Sequence, residues 1–287
     1  MIRIATKLLL LIQLMSNNIL NCETFSISAA KRHQQILNRR MQRSFMSQDS
    51  LLIENAKQDL KIALIDNNGS AISPKIQELI EKLYALNPTT LCASSPLLIG
   101  TFITLTAPNF PDNLGIDSHG NFQYTLGRLT FNMLNPNNLV CSIRNIFQPV
   151  RKMSDSPFQM SYSVNISLLS SDADGSEIHS TLINDGYCSP SSEHGNRLEV
   201  KFTECILSPD YSVNQDLARW NRVFKCQAAA VPGHYQHVTS HLHTNDSICI
   251  SMPRQPIGYL DILFLDDTMR ITRGNRNSIV VVERVVE

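Results

Sequence analysis

The chain has 287 residues, of which 43% are hydrophobic and 17% are charged, the balance of a globular protein with a sizeable core rather than of a disordered chain. Its 25 basic and 25 acidic residues give a formal net charge of zero. A chain without net charge attracts nucleic acid and anionic membranes only weakly, so neither is predicted as its main partner.

The N-terminal residues have the composition of a targeting leader. Arg3 and Lys7 precede an apolar run over residues 8–15, which is the outline of a signal peptide and far too short for a membrane span. Residues 24–46 contain basic side chains and no acidic one, as a transit peptide does. We predict a signal peptide over 1–22, a transit-peptide-like leader over 23–47 and one domain over 48–287. This arrangement resembles the bipartite presequence of algae with complex plastids; the alternative is secretion with a basic propeptide.

Two amphipathic helices are predicted at the start of the domain. Over residues 50–65, apolar side chains recur at helical spacing. In the second helix, Ser73 is suited to the cap and Pro74 to the first helical position, where its missing N–H would have no partner. An apolar stripe follows, and Pro88 ends the helix. We expect the two helices to cover one end or edge of a sheet.

From Leu97 onward the pattern changes to the alternation of β-strands. Strands are predicted over 97–106, within 122–134 with a break near Gly127, over 140–147 with Pro149 as the stop, over 158–168 and over 197–207. Residues 158–168 alternate most clearly between apolar and polar side chains. The intervals 170–196 and 209–256 are polar and weakly periodic, so we predict long loops or insertions there, at the rim of the sheet.

The C-terminal stretch 259–282 predicts a β-meander of three strands. Residues 259–264 and 279–282 are rich in β-branched and aromatic side chains, and 269–272 form a short strand between them. Asp266 and Asp267 favour the first turn, and Gly274 favours the second because it tolerates positive φ. We expect an ion pair across the turn with Arg270 or Arg273. Alternatively, these arginines contact a lipid head group or a partner carboxylate at the rim.

The stretch LDDTMRITRGNRNSIVVV, residues 265–282, resembles the C-terminal signature of the plastid lipid-associated proteins, also called plastid fibrillins. Its matching positions are Asp266, Asp267, Met269, Arg270, Ile271, Arg273, Gly274 and Ile279–Val282. Two earlier stretches fit in the same order: LNPTT with SPLLIGTF, residues 86–102, and GRLTFN, residues 127–132. Phe102 stands where the family usually has Trp, and residues 172–251 match poorly. The resemblance extends over roughly 59–283.

The pattern of predicted strands and the resemblance to plastid lipid-associated proteins both indicate a mainly β fold. About eight short-connected strands after N-terminal helices indicate an antiparallel barrel or a strongly curled sheet, and the resemblance implies a lipocalin-like barrel. The resemblance also implies non-enzymatic binding or coating of hydrophobic plastid metabolites, such as prenylquinones, carotenoids and acyl lipids, at thylakoids or lipid droplets called plastoglobules. The candidate lining residues are Phe102, Leu105, Phe131, Tyr162, Ile166 and Phe202. One alternative is a packed scaffold for a plastid lipid- or quinone-biosynthetic enzyme.

A second alternative is a metal-dependent enzyme built on the cluster GHYQHVTSHLHT. His237, His241 and His243 share one parity, so they would converge on one face of a strand and could hold zinc. The interval offers no fitting Glu or Cys, and the chain has no GxSxG, HExxH, P-loop or GxGxxG motif. We therefore predict no catalytic residue, no metal site and no cofactor.

The cysteines leave a third alternative. There are seven, and removal of a leader containing Cys22 leaves six, which a secreted, glycosylated lipocalin could pair. Their wide, irregular spacing lacks CxxC and favours free, buried thiols instead.

Overall fold

The computed structural model describes residues 48–153, 156–228, 246–252 and 255–286. The chain divides into two compact units, Met1–Asn55 and Ala56–Glu287. The first is described only over 48–55, the start of a helix, so the predicted leader segments 1–22 and 23–47 lie outside the described residues. The second unit contains all the strands named below.

The described residues form helices and an extensive antiparallel sheet. The helices are α1 (Gln48–Asp66), α2 (Pro74–Ala85), α3 (Leu126–Leu129) and α4 (Leu217–Ala228), with short 3-10 turns at Cys92–Ser94 and Pro96–Leu98. The strands are β1 (Gly100–Thr104), β2 (Gly115–Ile116), β3 (Phe122–Thr125), β4 (Val140–Met153), β5 (Ser156–Ser171), β6 (Glu177–Pro190), β7 (Arg197–Pro209), β8 (Ile248–Ser251), β9 (Ile257–Leu265), β10 (Met269–Gly274) and β11 (Ile279–Arg284). No helix in this part of the chain is long and apolar enough to cross a membrane.

Eight of the described strands close into an antiparallel barrel. Their order is β1-β11-β10-β9-β7-β6-β5-β4, and β4 pairs back with β1, where Phe102 lies opposite Gln148. Strands β3 and β2 extend from β4 outside this ring, and β8 pairs with β7. The predicted mainly β fold, an antiparallel barrel with N-terminal helices, is confirmed.

Helices α1 and α2 form where the sequence predicts them. The Ser73 hydroxyl accepts a hydrogen bond from the Ile76 N–H at 3.4 Å, and Pro74 occupies the first helical position. Lys61 of α1 pairs with Glu283 of β11, and Glu81 of α2 pairs with Arg273 of β10. Within the second unit, these pairs place both helices against the outer side of the β9–β11 meander.

Three strand predictions need correction at their ends. Residues 96–98 form a 3-10 turn, so β1 begins only at Gly100, whose φ of +144° lies in the region that favours glycine. The chain leaves β3 at Thr125 and enters the short helix α3, because the Thr125 hydroxyl caps the Arg128 N–H. Strand β4 continues through Pro149, which lies opposite Thr101 of β1.

The prediction of a loop over 170–196 is wrong, because these residues contain strand β6. It pairs with β5 over residues 177–188 and with β7 on its other side. Its buried positions alternate as a strand requires: Ile178, Ser180, Leu182, Asn184, Gly186 and Cys188. Half of them, Ser180, Asn184 and Gly186, are small or polar. Burial therefore alternates along β6, but the hydrophobicity of its residues does not, so the sequence pattern does not predict the strand.

The second predicted loop, 209–256, is also partly wrong. Helix α4 buries Trp220 and Phe224 completely, and the Trp220 indole N–H donates to the Ser180 hydroxyl at 2.9 Å. Both rings belong to the apolar cluster that contains Ile166 and Leu182 of the barrel wall. Residues 229–245 lie outside the described residues.

Candidate functional site

The register of the barrel strands determines which side chains share its inner face. Directly opposite residues of an antiparallel pair project to the same side of the sheet, as do residues two apart on one strand. Phe102 lies opposite Gln148, and Val150, two residues further, lies opposite Tyr162. Phe102, Val150 and Tyr162 are buried together with Gln148. These four side chains line one region of the barrel interior.

A row of aromatic rings leads to this region from the protein surface. Phe131, 47% exposed after α3, has its ring centroid 6.4 Å from that of Phe202. The Phe202 ring lies 6.0 Å from the Tyr162 ring. Gly186 lies opposite both Tyr162 and Phe202, so the strand between these rings carries no side chain at that point. The two rings can therefore approach each other inside the barrel.

The inner end of the row is a buried arginine. The Arg270 side chain is 1% exposed, and its Nη2 donates to the Gln148 Oε1 atom at 2.6 Å. Its guanidinium carbon lies 4.6 Å from the centre of the Phe102 ring. The Nε and Nη1 atoms of Arg270 have no hydrogen-bond partner among the described residues. A guanidinium has five N–H donors, so most of its capacity is unused here.

Gln148 joins the arginine to the aromatic row. Its Oε1 atom accepts from the Tyr162 hydroxyl at 3.2 Å as well as from Arg270, and its Nε2 atom donates to the Thr104 hydroxyl at 3.4 Å. Because the carbonyl and amide ends both have partners, the orientation of the Gln148 side chain is determined. The Tyr162 hydroxyl is thereby held beside the guanidinium.

The charges around Arg270 do not balance. Burial lowers its pKa, and the groups that act on it electrostatically are Tyr162, Cys188 and a second cation, Arg284. Burial raises the pKa values of Tyr162 and Cys188 to about 12, so both are neutral at physiological pH. Arg284 lies on Phe102 at 4.6 Å and donates to backbone carbonyls, including Ile99 O at 2.7 Å. The interior thus holds a cation without a carboxylate from the described residues.

Two neighbouring grooves are lined by residues from the loop that follows α1 and from the chain after β1. A groove of about 490 Å³ is lined by Ile72, Ile116 and Ile279 among others. A neighbouring groove of about 300 Å³ includes Leu64 of α1 and Leu105. The two share residues 106–108 and are apolar over much of their walls.

Comparison with protein families matches residues 116–283, more than half of the chain, to PAP_fibrillin. The chain belongs to this family. PAP_fibrillin proteins are plastid lipid-associated, structural proteins. No curated protein and no solved structure matches the chain.

The predicted lining residues of this PAP_fibrillin chain fall into two groups. Phe102, Tyr162, Ile166 and Phe202 contribute to the barrel interior, and Phe131 lies where the aromatic row meets the surface. Leu105 follows the last residue of β1 and lines the smaller groove instead. The structure therefore brings five of the six predicted residues to one continuous region.

The stretch Asp266–Gly274, predicted as a family signature, forms the predicted turns with different partners. The Asp266 carboxylate accepts from the Thr268 and Met269 N–H groups at 2.9 and 2.7 Å, which makes the first turn. The expected ion pair across it is wrong, because Asp266 pairs with Lys57 of α1 at 2.6 Å and Arg270 points into the barrel.

The rest of this stretch lies on the outside of the barrel. Asp267 is exposed, and Arg273 pairs with Glu81 of α2 at 3.3 Å. In the second turn the Gly274 N–H donates to Ser278 O at 2.8 Å, while positive φ falls on Asn277 rather than Gly274. The turn forms as predicted, but a different residue adopts the left-handed conformation.

The remaining candidates concern metal and thiol chemistry. His237, His241 and His243 lie outside the described residues, and the described part of the PAP_fibrillin chain contains no group of side chains suited to hold a metal ion. Cys92, Cys141, Cys188, Cys205 and Cys249 are free thiols. The prediction of free, mostly buried cysteines is confirmed for these five, and Cys22 and the Cys226 side chain are not among those described.

Proposed function

We propose that this protein binds hydrophobic plastid metabolites inside its barrel without chemically changing them. The main support for this proposal is the row of aromatic rings Phe131, Phe202 and Tyr162. The row begins at a half-exposed ring and continues into the barrel interior. Apolar surface removed from water is stabilised by about 25 cal/mol per Å², so a long acyl or prenyl chain can bind there by partition alone. Prenylquinones, carotenoids and acyl lipids are the proposed ligands.

The family supports the compartment and the ligand class of this proposal. PAP_fibrillin proteins are plastid lipid-associated, and residues 1–47 have the composition of a signal peptide followed by a transit peptide. We propose that this leader directs the protein to the plastid, where it localises to thylakoid membranes or plastoglobules. Tagging residues 1–47 with a fluorescent protein tests the delivery, since secretion of the fusion contradicts it.

An exposed apolar surface supports attachment to lipid. Ile65 is 76% exposed and lines the smaller groove, and Ile72 and Ile116 are 87% and 51% exposed and line the larger one. Contiguous exposed apolar surface is a feature of interaction sites. The double variant Ile72→Asp, Ile116→Asp should lose flotation with galactolipid-coated oil droplets. Ile257→Asp, which alters an exposed isoleucine on β9, is the matched control and should float as the wild type does.

The binding proposal is tested by the lipids the protein carries. Mass spectrometry of lipids extracted from gently purified native protein should find an acyl or prenyl lipid at a fixed ratio. Phe131→Ala should weaken binding of such a lipid about twofold to tenfold, because an aromatic contact is worth roughly 0.5–1.5 kcal/mol. Tyr84→Ala, an exposed aromatic residue on α2, is the control. Absence of any bound lipid, together with capture of a lipid-biosynthetic enzyme, would support a scaffold instead.

A further inference from the structure

We propose that the ligand of the barrel is a long-chain amphiphile with one carboxylate, and that Arg270 binds this carboxylate at the inner end of the aromatic row. The inference rests on the proposed function, because it requires that an apolar chain enters the barrel. It adds the chemistry of the head group and the residue that selects it. Free fatty acids are the simplest compounds of this class.

Arg270 is buried without a counter-ion among the described residues. A buried charge is tolerated when it is paired and hydrogen-bonded, and it is costly otherwise. Arg270 is 1% exposed, makes one hydrogen bond to a neutral amide, and leaves Nε and Nη1 without partners among the described residues. Arginine stays protonated in proteins, so the site retains its positive charge.

The acidic residues near Arg270 in sequence do not pair with it. Asp266 pairs with Lys57 and supports the turn, and Asp267 is exposed. The second guanidinium at Phe102, that of Arg284, donates to the backbone oxygens of Leu97, Ile99 and Asp267. Among the described residues of the barrel interior, Arg270 is therefore a cation whose donors remain available.

The geometry around Arg270 suits a carboxylate with an apolar chain. Gln148 holds the Tyr162 hydroxyl and the Arg270 guanidinium on one oxygen, at 3.2 and 2.6 Å. A carboxylate beside Arg270 would receive one N–H bond from Nε or Nη1 and a parallel one from the second hydrogen of Nη2, the bidentate arrangement that distinguishes arginine as a carboxylate partner. Its apolar chain would extend past Tyr162 and Phe202 toward Phe131, the order in which the rings lie.

The positive charge of Arg270 should make the site select between charged and neutral head groups. A neutral ester or quinone offers acceptors to Arg270 but leaves its charge unbalanced at a buried position. A single carboxylate balances it with one unit of charge. The site should therefore prefer the free acid over an ester of the same chain.

The proposal is tested with parinaric acid, a fluorescent polyene fatty acid, and its methyl ester, titrated into the full chain. Wild type should bind the acid about tenfold to a hundredfold more tightly than the ester, the range expected for charge-assisted hydrogen bonds. Arg270→Met should abolish this preference by weakening the acid and leaving the ester nearly unchanged. Arg273→Met, whose arginine lies outside the barrel against Glu81, should keep the preference.

A second variant guards against misfolding of the first. Gln148→Glu places a carboxylate within hydrogen-bond distance of Arg270, because the two side chains are already bonded. The new ion pair should raise the thermal midpoint and remove the preference for the acid by competing with it. Loss of the preference in a variant that is at least as stable as wild type cannot be attributed to unfolding.

The outcomes separate this inference from the function on which it rests. Binding of acid and ester with equal affinity in wild type and in Arg270→Met overturns the carboxylate site and leaves the lipid-binding function intact. Binding of neither probe overturns the lipid-binding function itself. A preference for the acid that Arg273→Met removes as effectively as Arg270→Met also overturns the site, because it shows a surface charge effect.

Discussion

The Lys57–Asp266 ion pair joins α1 to the turn between β9 and β10. The Lys57 Nζ atom lies 2.6 Å from Asp266 Oδ2, and the two side chains are only 3% and 12% exposed. The other carboxylate oxygen of Asp266 accepts from the Met269 N–H. One acidic side chain therefore both makes the turn and attaches a helix to the barrel.

Removal of Lys57 should be severely destabilising for this reason. Lys57→Met leaves the Asp266 carboxylate buried without its cation, and breaking one side of a buried pair costs about 3–5 kcal/mol. Urea unfolding gives the change in the free energy of unfolding. Lys75→Met, which alters an exposed lysine on α2, should change it by less than about 0.5 kcal/mol. A loss below about 1 kcal/mol for Lys57→Met would show that the pair contributes little.

At the residue scale, the sequence predicts which residues form the turn and not what their side chains contact. Asp266 and Gly274 are identified by turn chemistry, which is local. The direction of Arg270 depends on the outer covering of β10: Met269 and Ile271 are fully buried on the side that α1 and α2 cover, so Arg270 faces the interior. Without those helices, turn chemistry alone places Arg270 in an ion pair across the turn or at the rim.

Strand β6 depends on Gly186 at an irregularity in its pairing with β7. The register shifts between Asp185 and Gly186, as at a β-bulge. A Cβ at Gly186 would overlap the Lys201 carbonyl oxygen and lie 2.8 Å from Phe202 Cα. These are backbone atoms of the neighbouring strand, so they cannot move aside independently.

Gly186→Ala should therefore destabilise the barrel and disturb its aromatic row. Overpacking of this kind costs about 1–3 kcal/mol. The matched control is Gly258→Ala in β9, where the nearest atom to a Cβ is Asn275 Nδ2 at 3.9 Å. Thermal unfolding compares the two variants, and near-ultraviolet circular dichroism reports the packing of the rings. Equal stability of the two variants would contradict the close approach of β6 and β7 at this point.

At the scale of elements, periodicity predicts those whose buried face is apolar. Helix α2 and strand β5 satisfy that condition, and both form where predicted. Strand β6 buries Ser180, Asn184 and Gly186, so its alternation is invisible to hydrophobicity. Helix α4 begins within a polar interval, and its burial depends on Trp220 and Phe224, whose partner residues are distant in sequence. Elements stabilised by such long-range contacts require tertiary information.

For the whole molecule, the barrel class follows from the number and spacing of strands, but its closure does not. Closure joins β1 to β4, and the opposing residues Phe102 and Gln148 become neighbours only through that pairing. The buried polar cluster of Arg270, Gln148 and Tyr162 is assembled from strands that span most of the barrel's sequence. The sequence therefore predicts an apolar interior and gives no signal for the charged group within it.

The buried thiols give the whole molecule a distinctive dependence on pH. Burial raises the pKa values of Cys141, Cys188 and Cys205 from 9.0 to about 12. Cys141 and Cys205 belong to one apolar cluster of the barrel and Cys188 to the other. Ionisation of these groups is therefore disfavoured throughout the interior.

The sign of the effect follows from proton binding. Below pH 9 the thiols are protonated in both the folded and the unfolded chain, so their contribution to stability is constant. Between pH 9 and about 12 the unfolded chain releases these protons while the folded chain retains them. The free energy of unfolding should therefore fall as the pH rises through this window, and Tyr162, whose pKa rises from 10.0 to about 12, adds to the fall at its upper end.

Urea unfolding at constant ionic strength, at neutral pH and at intervals above pH 9, measures this slope. The double variant Cys141→Ala, Cys205→Ala should unfold at lower urea concentration at neutral pH, because it loses buried sulfur atoms, and should show a shallower decline above pH 9. The comparison of slopes separates proton linkage from packing, since a packing loss is the same at every pH. An identical slope in the variant and the wild type would mean that these thiols ionise as readily in the folded chain as in the unfolded one, and that the barrel interior admits water.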